Sequence, residues 1–315
     1  MVTIEKTMQK CSRCKKKSVY HRAYSGERFC SDCFKASIIE KTRKTISNYN
    51  MMKHGDTLAV AVSGGKDSLS LIDVLHRLTS KHREKIIVIT VDEGIEEYRD
   101  EAVKLSSEMV SNLGLEQEIV SFKSLFGFTL DEALECSKDQ KISSCSICGI
   151  LRRRAIDLAA KKVGADVVVT GHNLDDFLQT YFINLTNGDM GRLEFLSPFF
   201  EPQTDLPRRV KPFIEIYEEE IAFYAYLTGI PFQSIPCPYM NEGIRTEIRS
   251  FLNKLERSHS GIKYNTYGTV LKLLSGTHPS RKRRKCDKCG HPSSNNICSS
   301  CRILKLIQNN LKSLN

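Results

Sequence analysis

Residues 61–68, Ala-Val-Ser-Gly-Gly-Lys-Asp-Ser, combine two glycines, a lysine and a carboxylate directly after an apolar run at 57–62. Glycine lets the backbone approach an anion closely, and a helix that begins there directs free N–H groups and its positive dipole end toward the anion. The pattern therefore predicts a phosphate-binding loop. Its spacing differs from G-x-x-x-x-G-K-[ST], which disfavours a site for γ-phosphate transfer.

A second reactive pattern is Cys145-Ser-Ile-Cys148-Gly149, a Cys-x-x-Cys pair with no second pair nearby. Such a pair needs a remote ligand to complete a metal site, and Cys237, between two prolines, is the obvious one. Three thiolates could bind three irons of a [4Fe-4S] cluster and leave the fourth iron open for sulfur. Alternatively, Cys148 and Cys237 could carry a persulfide without iron, or the trio could be structural. Cys136 has no sequence partner and is interpreted as incidental.

A third pattern, Gly171-His-Asn-Leu-Asp175-Asp176, follows an apolar run at 166–170 and opens a predicted helix. Carboxylates in the first helical turn interact favourably with the helix dipole, so one of the two aspartates is explained as a cap. The other is then available to bind magnesium or to act as an acid or base on a nucleobase. Asp92 and Glu93 end another apolar run, where either ligand contact or an ordinary polar strand end is possible.

Both ends of the chain carry paired Cys-x-x-Cys motifs, separated by 15 residues near the N-terminus and by eight near the C-terminus. Four thiolates complete the tetrahedron of a structural zinc ion and leave no open position for chemistry. Two Zn²⁺ sites are therefore predicted, although reduced free cysteines are the alternative and His21 or His291 could replace a ligand. The predicted ligands are Cys11, Cys14, Cys30 and Cys33, and Cys286, Cys289, Cys298 and Cys301.

The elements that position these motifs follow from apolar runs at 57–62, 86–92, 118–122 and 166–170, which alternate with helical patterns. Runs of this kind indicate strands buried on both faces, hence an α/β fold with a doubly wound parallel sheet. A helix at 245–256 is predicted to pack Ile248, Phe251, Leu252 and Leu255 into the core. The predicted domains are a zinc ribbon at 1–40, a catalytic domain at 41–280 and a basic zinc knuckle at 281–315.

Composition narrows the function further. A formal net charge of +10 favours a polyanionic partner, and the basic run at 281–285 strengthens this prediction. No apolar run is long enough to span a membrane, and cysteines in metal-type spacing favour a reducing compartment over a disulfide-bonded secreted protein. We therefore expect a cytoplasmic protein without membrane contact.

Together these motifs resemble the TtuA/NcsA group of tRNA 2-thiouridine synthetases, within the PP-loop superfamily of adenine-nucleotide α-hydrolases. The resemblance implies that the loop binds the pyrophosphate part of ATP, with Lys66 as a point charge and Asp67 orienting Lys66 or Mg²⁺. It further implies that Asp176 is catalytic. The implied loop contacts are Ser63, Gly64, Gly65 and Ser68; the other nucleotide contacts are Ala61, Val91, Arg152 and Gly171; the cluster ligands are Cys145, Cys148 and Cys237.

Two positions depart from some members of the group, which have lysine at the position of Arg152 and histidine at that of Cys33. Arginine keeps the charge but not the geometry, which argues against an acid/base role for Arg152. The implied reaction is adenylation of the uridine C2 oxygen by ATP, followed by displacement of AMP by sulfide. The tRNA is expected to lie on the basic surface, and the resemblance also implies a homodimer.

The thiolated uridine is predicted to be the wobble uridine, because 14 Asn, 7 Gln, 12 Cys and 7 Met are many heat-labile residues for a hyperthermophile. Thiolation of a T-loop ribothymidine, 2-thiocytidine synthesis, amide ligation and non-catalytic RNA binding are the alternatives. The sequence leaves the sulfur donor open. The candidates are a ubiquitin-like thiocarboxylate protein, inorganic sulfide and a desulfurase.

Overall fold

The protein is described from a computed structural model that covers residues 9–79, 84–138, 142–194, 196, 206–240, 243–275 and 284–314. The strands are β1 (Tyr20–Arg22), β2 (Glu27–Phe29), β3 (Thr57–Ala61), β4 (Lys85–Asp92), β5 (Glu116–Ser121), β6 (Val167–Thr170), β7 (Arg208–Val210), β8 (Arg284–Lys285) and β9 (Pro292–Ser293). The helices are α1 (Ser31–Asn48), α2 (Lys66–Thr79), α3 (Arg99–Asn112), α4 (Phe122–Phe126), α5 (Leu130–Glu135), α6 (Ser144–Lys162), α7 (Leu174–Thr186), α8 (Met190–Glu194), α9 (Glu218–Thr228), α10 (Ile244–Ser258), α11 (Ile262–Ser275) and α12 (Ser299–Leu314).

A five-stranded parallel sheet forms the centre, with the strand order β5-β4-β3-β6-β7. The chain winds outward from β3 in both directions, so the switch in winding lies between β3 and β6. Open α/β sheets bind ligands beyond the carboxyl ends of their strands at this kind of switch point. The predicted doubly wound α/β fold is confirmed, and its topology places the binding site after Ala61 and Thr170, which are paired across β3 and β6.

All four predicted apolar runs contain strands, and β3, β4 and β6 are almost entirely buried. For β5 the prediction of burial on both faces is wrong, because Ile119 is 47 % exposed. In the described residues β5 pairs only with β4, so it forms one edge of the sheet and its outer face receives less cover.

The N-terminal ribbon packs directly into the main core. Phe29 and Phe34 are fully buried and belong to the same apolar cluster as β3 and α2. Tyr20 stacks on Phe223 of α9 at 5.2 Å, and buried Arg22 donates to Glu220 at 2.6 Å. The ribbon continues into α1, which passes through residue 40 without a break, so no linker separates the ribbon from the catalytic domain at the predicted boundary.

The C-terminal knuckle differs from the N-terminal ribbon, because its cysteines do not belong to the main apolar core. Three of its cysteines, Cys286, Cys298 and Cys301, form a small buried cluster of their own. The following helix α12 contributes Ile303 and Ile307 to the second apolar cluster, which also contains residues of α6. In the basic run, residues 281–283 lie outside the described residues, while Arg284 and Lys285 form exposed β8.

Helix α10 forms as predicted, but its proposed core face is only partly correct. Leu252 is buried and Ile248 and Leu255 are half-buried, whereas Phe251 is 52 % exposed. The helix lies at the surface and packs on α7, so only part of the predicted apolar face reaches the core. Among the described residues, no helix has the length and apolar character needed to cross a membrane.

Candidate nucleotide and cysteine site

A cavity of about 730 Å³ opens at the carboxyl ends of β3, β4 and β6. Its lining includes all four of the nucleotide contacts predicted outside the loop, namely Ala61, Val91, Arg152 and Gly171. The phosphate-binding loop contributes Ser63, Gly65, Asp67 and Ser68 to the same lining. The structure therefore brings together residues that lie more than 100 positions apart in the sequence.

Two glycines in this region are required by the backbone itself. Gly64 has a φ of +84°, and a Cβ atom there would lie only 2.5 Å from the Ala102 carbonyl oxygen. At Gly171 a Cβ atom would lie 3.1 Å from the Ser68 backbone nitrogen at the start of α2. A side chain at Gly64 would push the loop off α3, and one at Gly171 would crowd the helix start that faces the cavity.

The serines hold the loop closed on the first turn of α2. Ser68 Oγ accepts a hydrogen bond from the Ser63 backbone N–H at 3.1 Å and donates to the Gly65 carbonyl at 3.0 Å. These bonds fix the loop without using the N–H groups at the start of α2, which suits an anion site at a helix N-terminus.

Lys66 is already paired. Its Nζ donates to Asp67 at 2.9 Å and to Glu218 of α9 at 2.8 Å, and Glu218 also accepts from Arg249 at 2.5 Å. The predicted contact between Asp67 and Lys66 is present, but no sequence motif pointed to Glu218, which lies 152 positions away. Lys66 therefore belongs to a network of two cations and two carboxylates.

The two adjacent aspartates have different roles, but not by the predicted division in which one caps the helix and the other is free for chemistry. Asp175 is buried, accepts from Lys263 at 2.5 Å and holds the Glu218 backbone N–H at 2.8 Å. Asp176 lines the cavity, and one of its oxygens accepts from the Asn173 backbone N–H at 3.2 Å in a capping box. Asp176 therefore caps α7 and also faces the cavity.

Burial raises the pKa of Asp176 and the pKa of Asp67, and each carboxylate feels the negative charge of neighbouring acids. Asn173 Nδ2 donates to Asp67 Oδ1 at 3.2 Å while the Asn173 side chain also caps α7, so it ties the two aspartates together. Mg²⁺ commonly uses one or two carboxylates plus substrate phosphates and water, which this pair can provide.

The three central cysteines gather at the N-terminus of α6, beside the cavity rather than in its lining. The loop that carries Cys237 reaches this end of α6, where Ser144 Oγ donates to the Tyr239 carbonyl at 3.1 Å. Cys145 is exposed, Cys237 is half-buried, and Cys148 is buried with its pKa raised by burial to about 11.

Arg152 connects the cysteines to the cavity. Its Nη2 lies 3.3 Å from Cys148 Sγ, and its Nε lies 2.5 Å from Glu93 Oε1. Glu93 is almost completely buried and its other oxygen lies 2.6 Å from Arg99 Nε. Of the two interpretations of Glu93, an ordinary polar strand end does not fit a carboxylate buried between two arginines.

The terminal cysteines form two compact groups, and within each group the four sulfurs lie within 4.8 Å of one another. The Cys14 and Cys30 sulfurs are 3.4 Å apart, and those of Cys289 and Cys298 are 3.7 Å apart. Thiolates about 2.3 Å from a shared zinc ion would stand at roughly this separation. Burial opposes ionisation of Cys11, but backbone N–H groups of Cys30, Cys14 and Arg13 lower its pKa to about 6.

Neither histidine considered as a substitute ligand is needed. His21 is exposed on β1. His291 Nε2 lies 3.0 Å from Asp157 of α6, and the same carboxylate accepts from Arg209 at 2.7 Å. Asp157 therefore links the C-terminal knuckle to a residue that lines the cavity.

Sequence reasoning missed a group of basic side chains along one side of the cavity. Arg153 follows the predicted contact Arg152, His172 belongs to the Gly-His-Asn-Leu-Asp-Asp pattern, and Arg209 and Lys211 belong to an Arg-Arg-Val-Lys segment without a recognised motif. None of these local signals indicated that the side chains meet. The described lining contains Arg153, His172, Arg209, Lys211 and Arg245.

Comparison with known proteins places this site in a family. The chain matches the PP-loop domain family over residues 35–256 and, over residues 10–35, the N-terminal LIM domain of 2-thiouridine synthetase TtuA. It is 32 % identical to the tRNA 2-thiolation protein NcsA of Haloferax volcanii, over 95 % of this chain and 99 % of that protein. It is 33 % identical to the cytoplasmic tRNA 2-thiolation protein 1 of Candida glabrata, over 99 % of this chain and 90 % of that protein.

Among solved structures, the chain is similar to the U34-tRNA thiolase NcsA of Methanococcus maripaludis with its [4Fe-4S] cluster. The TM-score is 0.84 with 31 % sequence identity, and the match covers 96 % of each chain. These matches confirm the family resemblance inferred from the motifs. The chain belongs to the PP-loop family and, within it, to the tRNA 2-thiolation proteins.

Proposed function

We propose that this protein is an ATP-dependent tRNA sulfurtransferase that replaces the C2 oxygen of the wobble uridine with sulfur. The observation that supports it most is the contact between Arg152, a cavity residue, and the Cys148 sulfur at 3.3 Å. An adenylation site and a sulfur-handling site must adjoin for this reaction, since the activated base has to meet sulfur before water removes AMP.

In this proposal ATP lies across the carboxyl ends of β3 and β4. The loop Ser63–Ser68 with the start of α2 binds the pyrophosphate part, and the backbone at Ala61 and Val91 contacts adenine. Lys66 stays within its network with Glu218, which keeps the lysine in place beside the loop. Asp67 would bind Mg²⁺ beside the loop, which leaves Asp176 available for proton transfer.

The uridine is activated by adenylation of its C2 oxygen. The uridine C2 oxygen attacks the α-phosphorus, a bond from oxygen to phosphorus forms, and the bond to pyrophosphate breaks. Asp176 takes the N3 proton as this happens and returns it to the product. Its pKa, raised by burial, brings this carboxylate nearer to the pH range in which proton transfer is efficient.

Sulfide then attacks C2, and AMP leaves with the original oxygen. Cys145, Cys148 and Cys237 would hold a [4Fe-4S] cluster, since Cys148 and Cys237 belong to one packed cluster and the loop of Cys237 contacts the start of α6 at Ser144 and Cys145. A four-iron cluster with three protein ligands supplies one open iron that can bind sulfide. Arg152 and Glu93 position Cys148 for this role.

The terminal cysteine groups are proposed to hold one structural Zn²⁺ each, in agreement with their spacing in the fold. The tRNA is the proposed partner, bound in part by the net charge of +10. The similar protein of Methanococcus maripaludis is a U34-tRNA thiolase, which supports the wobble uridine as the target. Cytoplasmic location, a homodimer and a sulfur donor of the thiocarboxylate or sulfide type complete the proposal.

The proposal is tested with anaerobically reconstituted protein, by iron and acid-labile sulfide content and by thiolation of unmodified tRNA. We expect Cys148→Ala to lose the cluster and thiolation, whereas Cys136→Ala, a matched variant of a thiol outside the trio, keeps both. Thiolation by parent protein that contains no iron would show that the cysteines carry persulfide instead. Absence of pyrophosphate release by the iron-loaded parent with tRNA and ATP would reject the enzymatic function.

A further inference from the structure

The basic side chains of the cavity come from four separate elements. Arg153 lies on α6, His172 follows β6, Arg209 and Lys211 lie at and just after β7, and Arg245 begins α10. Because they converge from distant parts of the sequence, their common position results from the fold and not from a basic run. Burial and the positive charges of Lys211, Arg209, Arg245 and Arg153 together lower the pKa of His172 to about 3, so its ring is neutral at physiological pH.

Some of these cations have protein partners and others do not. Arg209 donates to Asp157 at 2.7 Å, and Arg245 donates to the Gln179 side chain at 3.1 Å. Within the described residues, the side chains of Arg153 and Lys211 have no hydrogen bond and no ion pair. Two such cations beside other arginines in a half-enclosed cavity repel one another unless an anion lies between them.

The network around Lys66, beside the phosphate-binding loop, is different in this respect. Lys66 is neutralised by Asp67 and Glu218, and Arg249 shares Glu218. Asp176 is close to both groups, since the charges of Glu218 and of Arg245 both act on its pKa. The basic group beside the loop is therefore balanced by carboxylates of the protein, whereas the basic group that lines the cavity is balanced only in part.

We propose that Lys211 and Arg153, with Arg245, form a phosphate-binding subsite separate from the phosphate-binding loop, and that it binds a backbone phosphate next to the target uridine. This inference rests on the proposed function for the identity of its ligand. Both the triphosphate of ATP and the RNA backbone have the required chemistry, because each carries negatively charged phosphate oxygens that accept hydrogen bonds from lysine and arginine.

The RNA backbone is favoured by the requirements of the reaction. The uridine has to leave its stack so that its C2 oxygen reaches the α-phosphate, and its flanking phosphates enter the same cavity with it. Phosphate contacts fix the position of a nucleotide without reading its base. The cations around His172 do not belong to the phosphate-binding loop, so they can hold that phosphate while the loop holds ATP.

The test measures binding without turnover. Lys211→Met removes the charge at nearly constant length, Lys211→Arg retains it, and Lys104→Met removes an exposed lysine of α3 outside the cavity. Each protein is titrated with unmodified tRNA at several salt concentrations and, separately, with a non-hydrolysable ATP analogue. We expect Lys211→Met to raise the Kd for tRNA roughly tenfold and to reduce the salt slope by about one, with ATP-analogue binding unchanged.

Lys211→Arg should restore most of the tRNA affinity, and Lys104→Met should leave it within about twofold. If Lys211→Met weakens the ATP analogue instead, the subsite exists but its phosphate belongs to ATP, which overturns the assignment to RNA. If neither ligand is affected while the variant melts like the parent, the subsite is rejected. A parent protein that shows Lys211-dependent tRNA binding yet never thiolates would reject the proposed function and leave the subsite standing.

Discussion

The terminal and central cysteines of this protein use the same side chain in two different arrangements. At each end, four sulfurs lie within 4.8 Å of one another and two or more of them are buried. In the centre, an exposed, a half-buried and a buried cysteine share one location beside the cavity, and an arginine contacts the buried one. The first arrangement surrounds a single ion completely, whereas the second leaves one side open.

Under the proposed function, the number of sulfurs distinguishes a structural cysteine site from a reactive one. A fourth sulfur would close each terminal site around an ion, and backbone N–H groups lower the pKa of Cys11 in the N-terminal site. The central site lacks a fourth cysteine among the described residues, and the open side adjoins residues that line a cavity able to hold a nucleotide. Changes at the centre should therefore alter chemistry, and changes at the ends should alter stability.

The largest expected effect concerns Asp176, which lies in the cavity beside the central site. We expect Asp176→Asn to reduce the thiolation rate by about 10²- to 10⁴-fold, because proton transfer by a positioned side chain contributes that much. Single-turnover thiolation with saturating ATP measures it. Asp189→Asn, which removes an exposed carboxylate near α8, is the control and should keep the parental rate.

The pH dependence of the same step gives a second measure of Asp176. Burial raises its pKa, so the carboxylate becomes protonated at a higher pH than the usual 3.8. A general base works only when deprotonated, and the rate should therefore fall as pH is lowered through this raised pKa. Asp67→Asn should retain the acidic limb of the profile. If the rate of Asp176→Asn still falls at low pH in the same way, the titrating group is not Asp176.

A smaller effect is expected on stability, and it should differ between the two terminal cysteine groups. Cys30→Ala should destabilise the protein by about 3 kcal/mol or more, because loss of its metal releases Phe29 and Phe34 from the main core. Cys298→Ala should loosen only the C-terminal knuckle, whose cysteines form their own cluster. Zinc content and denaturant unfolding of both variants check this. Equal losses of unfolding free energy would contradict the distinction.

The smallest effect is expected at Glu93, which positions Arg152. Glu93→Gln should keep the iron content but lower the thiolation rate by roughly tenfold, because Arg152 loses the charged partner that fixes its contact with Cys148. Glu135→Gln on the exposed face of α5 is the matched control. Loss of iron in Glu93→Gln would show that the carboxylate supports the cysteines themselves.

Local sequence patterns were sufficient for four of the five strands of the sheet, for the phosphate-binding loop and for both terminal cysteine groups, but not for the edge strand β7. Strands such as 86–92 are continuous apolar runs, and four cysteines in two close pairs need only a short chain to meet. The roles of Asp175 and Asp176 were not predicted correctly, because the residue that caps α7 is also the one that lines the cavity.

Interactions between distant parts of the chain could not be predicted in this way. The pairing of Lys66 with Glu218 and that of Asp175 with Lys263 join residues 152 and 88 positions apart. Neither partner stands in a recognised motif, and their contact depends on how α9 and α11 pack. The edge position of β5 and the exposure of Phe251 were missed for the same reason, because they depend on what covers an element.

Helix α12 has a consequence for how the protein is made. It packs on α6, the helix that carries Cys145 and Cys148, and Asn310 donates to the Cys136 carbonyl at 2.8 Å. Chains leave the ribosome from the N-terminus, so α12 emerges after every other element of this fold. The helix with two of the three central cysteines therefore completes its packing only after α12 has been synthesised, which makes the reactive centre a late product of biogenesis.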